Sequence, residues 1–195
     1  MDDRAAPDVG KAPRPARRLS ESHEGVDALA KSDNKPDINI DPKLDLVLER
    51  VVDVPPSKVW KAWTVPEHLM PWFCPKPWQT TECEIDLRPG GKFRTLMRGP
   101  AGESFDGTGC YLEVVPERRL TWTSALLPGY RPSAEGLRAM PFTATIILAP
   151  EGKGTRYTAI AQHMDEDGCK KHAAMGFTEG WGKALEQLVD YAKAL

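Results

Sequence analysis

The sequence contains no apolar run that approaches the roughly 20 residues of a membrane-spanning helix. Its N-terminus also lacks the apolar stretch of a secretory signal, and the acidic residues Asp2, Asp3 and Asp8 are unlike a mitochondrial presequence. From these absences we expect a protein that has no membrane span and is cytoplasmic.

Cysteine and histidine are few, and neither is grouped. The four cysteines, Cys74, Cys83, Cys110 and Cys169, form no CxxC pair, and the four histidines form no HExxH motif. Scattered cysteines in a chain of 195 residues are typical of free thiols in a reducing compartment. The sequence therefore predicts no metal site and no disulfide framework.

An excess of either charge and the usual catalytic motifs are also lacking. The chain has 26 basic and 28 acidic residues and a net charge of −2, which predicts no strong attraction to nucleic acid. It has no GxSxG motif, no Walker phosphate loop and no GxGxxG motif. We therefore expect no cofactor and no catalytic constellation, and a function other than catalysis is favoured.

Aromatic residues are absent from the first 43 positions, and the first in the chain is Trp60. Alternating charges fill this segment, together with the prolines Pro7, Pro13, Pro15, Pro36 and Pro42. Such a composition cannot bury enough apolar area to offset the entropy of ordering the chain. It predicts a disordered N-terminal tail over residues 1–43, followed by one domain over residues 44–195.

Within that domain, hydrophobic periodicity predicts an α+β order. Alternating apolar residues from Leu44 to Val54 indicate a half-buried strand, and two short helices follow it. Six strands are predicted between Trp78 and His163. Residues 125–141 interrupt this rhythm with three prolines and two glycines, and a connection of this length is often functional.

The last segment, from Asp167 to Leu195, is predicted to be one long helix. Its apolar residues recur every three or four positions, at Phe177, Trp181, Leu185, Leu188 and Ala192. Gly176, Gly180 and Gly182 each cost about 1 kcal/mol relative to alanine within a helix. Their presence predicts either close backbone packing or space left beside the helix.

Several motifs, in order along the chain, resemble those of one branch of the START-like, or SRPBCC, superfamily. They are Val59 to Glu67 followed by Trp72-Phe73, Asp86 to Phe93, Gly109 to Pro116, Arg119 to Trp122, and Met175 to Phe177 with Gly180-Trp181. This branch is the family of homologues of the activator of the ninety-kilodalton heat-shock protein ATPase. The resemblance extends over residues 44–195.

The resemblance implies a helix-grip fold, in which a curved antiparallel sheet of about seven strands holds a long C-terminal helix, with two short helices beside it. It also implies an apolar cavity between sheet and helix, with a hydrophobic small molecule, lipid-like or aromatic, as the partner. The family's name implies a second kind of partner, a chaperone ATPase, although the chaperone activator itself resembles this chain only in its C-terminal domain.

Large apolar side chains and two polar ones are expected to line that cavity. The predicted cavity residues are Trp63, Phe73, Trp78, Phe93, Met97, Trp122, Phe142, Tyr157, His163, Phe177, Trp181 and Leu185. A pocket lined by rings is a usual small-molecule site, although each ring alone is also typical of core packing. Tyr157 and His163 lie on one predicted strand face and would orient a ligand, whereas His172 is expected to be solvated or at the cavity mouth.

Three functions stay open at this point. The first is a binding protein that sequesters or delivers an apolar ligand. The second is an enzyme of the polyketide-cyclase or hydrolase kind, with Tyr157 and His163 as acid or base. The third is a co-chaperone or regulatory domain that makes contact through the tail or residues 125–141. A stress-related or regulatory role is compatible with the first and the third, and no residue pattern specifies an oligomeric state.

Overall fold

The computed structural model of the protein describes residues 38–138 and 140–195. Most of the predicted tail, residues 1–37, lies outside the described residues, so its disorder stays a prediction. Residues 38–44 are irregular and end in a turn, where the backbone N–H groups of Leu44 and Asp45 donate to the carbonyl oxygen of Asp41 at 3.0 and 2.8 Å. Among the described residues, regular structure begins at Asp45.

The helices and strands follow the order that the periodicity predicts, apart from two short strands and a short helix within residues 125–141 and a division of the C-terminal helix. In chain order they are β1 (Asp45–Val52), α1 (Pro56–Thr64), α2 (Pro66–Leu69), β2 (Gln79–Ile85), β3 (Lys92–Arg98), β4 (Ser104–Val115), β5 (Arg119–Thr123), β6 (Leu126–Leu127), β7 (Arg131–Pro132), α3 (Ala134–Arg138), β8 (Phe142–Glu151), β9 (Gly154–His163), α4 (Glu166–Ala174) and α5 (Phe177–Lys193). None of the helices in the described part of the chain has the length and hydropathy of a transmembrane segment.

Seven of the strands form one antiparallel sheet in the order β1-β9-β8-β5-β4-β3-β2. The first strand pairs with the last, so that Asp45 lies opposite Gln162. The pairing register shifts within β2 and again within β4, between Tyr111 and Glu113, and such bulges bend a sheet. The predicted α+β helix-grip class is confirmed.

The predicted single C-terminal helix is in fact two helices, α4 and α5. Helix α4 begins after Asp165, whose Oδ1 accepts the backbone N–H of Gly168 at 2.7 Å, two residues before the predicted Asp167. The break falls at Gly176, whose φ of +86° and ψ of 42° are left-handed, so the helix cannot continue through it. The prediction of one helix is wrong because hydrophobic spacing does not reveal a single left-handed residue.

Helix α5 packs on one face of the sheet through its apolar side. Its buried side chains are Phe177, Ala184, Leu185, Leu188 and Ala192. The C-terminal half, where Leu188 and Ala192 are completely buried, belongs to the main core together with α1 and β1. The N-terminal half lines the cavity that forms the candidate site.

The connection at residues 125–141 has structure of its own. It contains the short strands β6 and β7, a 3-10 turn at Pro128–Tyr130, and α3. The N–H of Gly129 donates to the carbonyl oxygen of Gly90 at 2.8 Å, so the connection contacts the turn that precedes β3. At that turn, a side chain on Gly91 would lie 1.9 Å from the carbonyl oxygen of Asp86, which is why only glycine fits there.

Candidate ligand cavity

A cavity of about 430 Å³ lies between the sheet and the N-terminal half of α5. This volume is within the range of small-molecule sites, roughly 300–1,000 Å³. Its walls come from α1, the segment from Trp72 to Pro75, five strands and the residues around the α4–α5 break. Phe105 and Met175 line it while being 56% and 69% exposed, so the cavity meets solvent between the start of β4 and that break.

Ten of the twelve predicted cavity residues line this cavity. They are Trp63, Phe73, Phe93, Met97, Trp122, Phe142, Tyr157, Phe177, Trp181 and Leu185. The remaining lining residues are Trp72, Cys74, Pro75, Thr95, Phe105, Gly107, Thr108, Gly109, Ser124, His172, Met175, Gly176, Gly180 and Ala184. A role of any of these residues in ligand binding stays a prediction.

Trp78 and His163 lie outside the lining, which corrects two predicted positions. Trp78 is half-buried at the edge of the sheet, where a side chain added at Gly99 would lie 2.9 Å from its Cζ2 atom. His163 is buried, but it is the last residue of β9 and lies behind His172 and Phe142. The rings of His172 and Phe142 contact His163 and line the cavity themselves. His163 lies outside the lining because β9 extends past the space beneath α5.

The rings of one cavity wall pack on one another. The centroid of the Trp63 ring lies 4.8 Å from that of Trp72 and 5.3 Å from that of Trp122. Phe93 extends the wall, at 5.7 Å from Phe73 and 5.2 Å from Trp122. Such pairs contribute about 0.5–1.5 kcal/mol each beyond the burial of their area. These contacts hold the rings of the wall against one another.

Small residues on both sides leave the space open. Gly107 and Gly109 of β4 line the cavity from the sheet, and Gly180 and Ala184 line it from α5. A side-chain Cβ added at Gly180 would meet no atom within 4 Å. The sequence predicted either close backbone packing or space beside the helix at the glycines of α5. At Gly180 the structure supports space beside the helix.

Polar groups in the lining are few, and no charged side chain lines the cavity in the described part of the chain. Hydroxyl groups come from Thr95, Thr108, Ser124 and Tyr157. Tyr157 is 3% exposed, and burial raises the pKa of its phenol, so it stays protonated at neutral pH. A charged ligand would lose its hydration here without meeting an opposite charge, so the cavity suits an uncharged molecule.

The indole N–H of Trp63 is a buried donor in the cavity wall, since Trp63 is only 4% exposed. Its polar neighbour is the phenol of Tyr157, and a side-chain hydrogen bond with Trp63 lowers the pKa of that phenol, although burial raises it by more. The indole reaches full hydrogen-bond geometry with none of the described residues, so this contact is a weak one.

His172 also lines the cavity, so of its two expected positions, solvated or at the cavity mouth, the solvated one is wrong. It is 8% exposed rather than solvated, and its Nδ1 lies 2.9 Å from Nε2 of His163. Burial, assisted by the nearby His163, lowers the pKa of His172 to about 4, so its imidazole is neutral at physiological pH. The sequence feature that could have revealed the burial of His172 is its three-residue spacing from Cys169, because these are the two buried residues of α4.

Gln187 of α5 holds one wall of the cavity in place. Its Nε2 donates to the carbonyl oxygens of Trp72 and Cys74 at 3.0 and 2.9 Å, and its Oε1 accepts the N–H of Lys76 at 3.0 Å. One side chain thus satisfies three backbone groups of an irregular segment that brings Phe73 to the cavity. Sequence reasoning missed this role, because a glutamine in a helix is usually solvated.

In the described part of the chain, the cysteines and acidic residues form no reactive cluster. All four cysteines carry free thiols, and Cys74 lines the cavity. Burial raises the pKa of the Cys74 thiol, which makes it a poor nucleophile near neutral pH. Among residues 38–138 and 140–195, no three His, Cys, Asp or Glu side chains are placed to hold a metal ion.

Together, the bent antiparallel sheet, the C-terminal helix and the apolar cavity define a helix-grip domain of the START-like class, which is a ligand-binding fold in general. The chain belongs to the family described as "Activator of Hsp90 ATPase homolog 1-like protein", whose model matches residues 53–193. The resemblance seen in the sequence is thereby confirmed. No curated protein matches this chain.

Solved structures of similar proteins share the fold. A crystal structure of a protein from Nitrosomonas europaea is 48% identical, covers 80% of this chain and 97% of that chain, and has a TM-score of 0.76. A solution structure from Arthrobacter aurescens is 26% identical, covers 80% and 91%, and has a TM-score of 0.67. A crystal structure from Chromobacterium violaceum is 27% identical, covers 76% and 96%, and has a TM-score of 0.60.

Proposed function

We propose that this protein binds an uncharged hydrophobic or aromatic small molecule in the cavity between the sheet and α5. The observation that carries the proposal is the lining itself, in which large rings and small residues surround about 430 Å³ and no charged side chain takes part among the described residues. A core built only for stability would be filled, since protein interiors pack as densely as organic crystals.

The energetics favour an apolar ligand over a charged one. Each square ångström of apolar surface that a ligand and the cavity remove from water contributes roughly 25 cal/mol. A carboxylate or phosphate would instead pay several kcal/mol of desolvation without an opposite charge to offset it. The exposed apolar residues Phe105 and Met175 at the opening support entry from that side.

Binding of N-phenyl-1-naphthylamine, an uncharged probe whose fluorescence rises in apolar surroundings, tests the proposal. Gly180→Leu places a side chain in the cavity, because a Cβ at Gly180 has no atom within 4 Å. We expect it to weaken probe binding roughly tenfold, which is about 1.4 kcal/mol. Gly182→Leu is the matched control: it lies on the same helix, also has no atom within 4 Å of its Cβ, and is outside the lining.

Two results would contradict the proposal. One is an absence of saturable binding by the wild-type chain to this probe and to a broad panel of uncharged apolar compounds. The other is an equal loss of probe binding in the Gly180→Leu and Gly182→Leu variants, which would place the probe outside the cavity. Native mass spectrometry of the purified chain adds an independent measurement, since a co-purified ligand increases the mass.

Regulation of a chaperone ATPase is a second candidate, and the family match over residues 53–193 is the observation that favours it. The test is the ATP turnover of a ninety-kilodalton heat-shock protein with and without the full chain. An increase that persists in Gly180→Leu would support this function independently of the cavity. Unchanged turnover, together with no co-sedimentation of the two proteins, would exclude it.

A further inference from the structure

A backbone carbonyl determines the tautomers of two buried histidines. Nδ1 of His163 lies 2.9 Å from the carbonyl oxygen of Leu44, which can only accept a hydrogen bond. Nδ1 of His163 must therefore carry the proton and donate it. In a neutral imidazole the other nitrogen is then an acceptor, so Nε2 of His163 presents its lone pair to the next group.

That next group is His172. Its Nδ1 lies 2.9 Å from Nε2 of His163, and since the latter accepts, Nδ1 of His172 donates. This leaves Nε2 of His172 without a proton and with an available lone pair. Nε2 makes no hydrogen bond to any of residues 38–138 or 140–195, and His172 lines the cavity.

The surroundings of His172 are aromatic. Its ring centroid lies 5.1 Å from that of Phe142, 5.2 Å from that of Phe177 and 6.3 Å from that of Trp181, and all three rings line the cavity. Burial keeps the pKa of His172 at about 4, so the neutral, accepting form is the one present at physiological pH. A ligand that suits this acceptor and the rings around it carries a hydrogen-bond donor on an apolar, preferably aromatic, skeleton.

We propose, on the basis of the proposed function, that the cavity selects uncharged ligands with a hydroxyl or N–H donor of the phenol type, which donates to Nε2 of His172. His163 is a positioning residue, because it acts only through the tautomer of His172. A ligand of the same shape without the donor leaves the buried acceptor unsatisfied and binds more weakly, since an unmade buried hydrogen bond is costly.

The test compares 2-naphthol with 2-methoxynaphthalene as competitors of N-phenyl-1-naphthylamine. Both are uncharged bicyclic compounds, and only the first has a donor. We expect the wild-type protein to prefer 2-naphthol by roughly two- to tenfold. His172→Phe retains the ring and removes the acceptor, so it should abolish the preference, whereas the amide oxygen of His172→Gln should restore part of it.

Nitrogen-15 NMR of the wild-type imidazoles examines the tautomers directly and does not depend on any variant folding. We expect Nε2 of His172 to be unprotonated in the free protein and to shift on addition of 2-naphthol but not of 2-methoxynaphthalene. His163→Phe should change which nitrogen of His172 carries the proton, which a purely structural role of His163 would not do.

The outcomes separate this inference from the proposed function. Equal competition by the two compounds, or a protonated Nε2 on His172, overturns the inference and leaves cavity binding intact. If neither the probe nor the two compounds bind at all, the proposed function fails and this inference fails with it.

Discussion

The indole rings of Trp63 and Trp122 lie 5.3 Å apart between their centroids, at an angle of 44°. Trp63 belongs to α1 and Trp122 to β5, so this contact joins the helical segment to the middle of the sheet at one wall of the cavity. Four of the six tryptophans, Trp63, Trp72, Trp122 and Trp181, line the cavity. Indole fluorescence is therefore a direct measure of what occupies it.

The first prediction concerns that fluorescence. A brominated apolar compound such as 1-bromooctane quenches indoles only on contact, so we expect saturable quenching of part of the tryptophan emission. Trp122→Phe removes one of the four cavity indoles and should lower the quenched share. Trp60→Phe is the control, because Trp60 lies outside the lining, and an equal effect of both substitutions would count against binding in the cavity.

The second prediction concerns the break between α4 and α5. Gly176 has a φ of +86°, a conformation that costs other residues roughly 1–2 kcal/mol, so Gly176→Ala should lower the free energy of unfolding by about that amount. Gly182→Ala, in the interior of α5, should instead raise it by about 1 kcal/mol through helix propensity. Urea denaturation of both variants measures this, and effects of the same sign would contradict the assigned backbone conformation.

The third prediction concerns Gln187, which satisfies three backbone groups of the segment from Trp72 to Lys76. Gln187→Leu leaves those groups without partners and should lower the free energy of unfolding by about 1–3 kcal/mol. Amide hydrogen exchange at Lys76 should become faster, because its N–H loses its acceptor. Glu186→Leu, one position earlier and exposed, should change stability by less than about 0.5 kcal/mol. Unchanged exchange at Lys76 in the Gln187 variant would refute this role.

The fourth prediction is a pH dependence of stability. The pKa of His172 falls from 6.5 in the unfolded chain to about 4 in the folded protein. Between these two pKa values the unfolded chain binds a proton at His172 that the folded protein does not bind. The neutral His172 therefore contributes fully to stability above pH 6.5, and this contribution decreases as the pH falls toward 4. The free energy of unfolding of wild type and of His172→Gln, measured by chemical denaturation from pH 7.5 down to the folded pKa of about 4, gives the contribution of His172. Parallel stability profiles for the two proteins would show that His172 does not titrate in this way.

Much of the fold could be predicted from local patterns. Alternating residues such as Leu46, Leu48 and Val52 predict β1, and the apolar spacing of Phe177, Trp181 and Leu185 predicts the face of α5 that meets the sheet. Ten of the twelve proposed cavity residues lie around one space for the same reason, since inward positions on strands and on a packed helix recur with fixed periods. The order of the motifs along the chain identified the family.

Other features depend on residues that are distant in the sequence. The sequence by itself determined the order of elements, the apolar inward faces and the absence of grouped charge, because these follow from the spacing of neighbouring residues. Only the tertiary structure decided that the helix breaks at Gly176, that Trp78 lies outside the cavity lining, and that hydrogen bonds join Leu44, His163 and the lining residue His172. The physical reason is that a tautomer or a cavity is set by contacts across the fold, and Leu44 and His163 are separated by 119 positions.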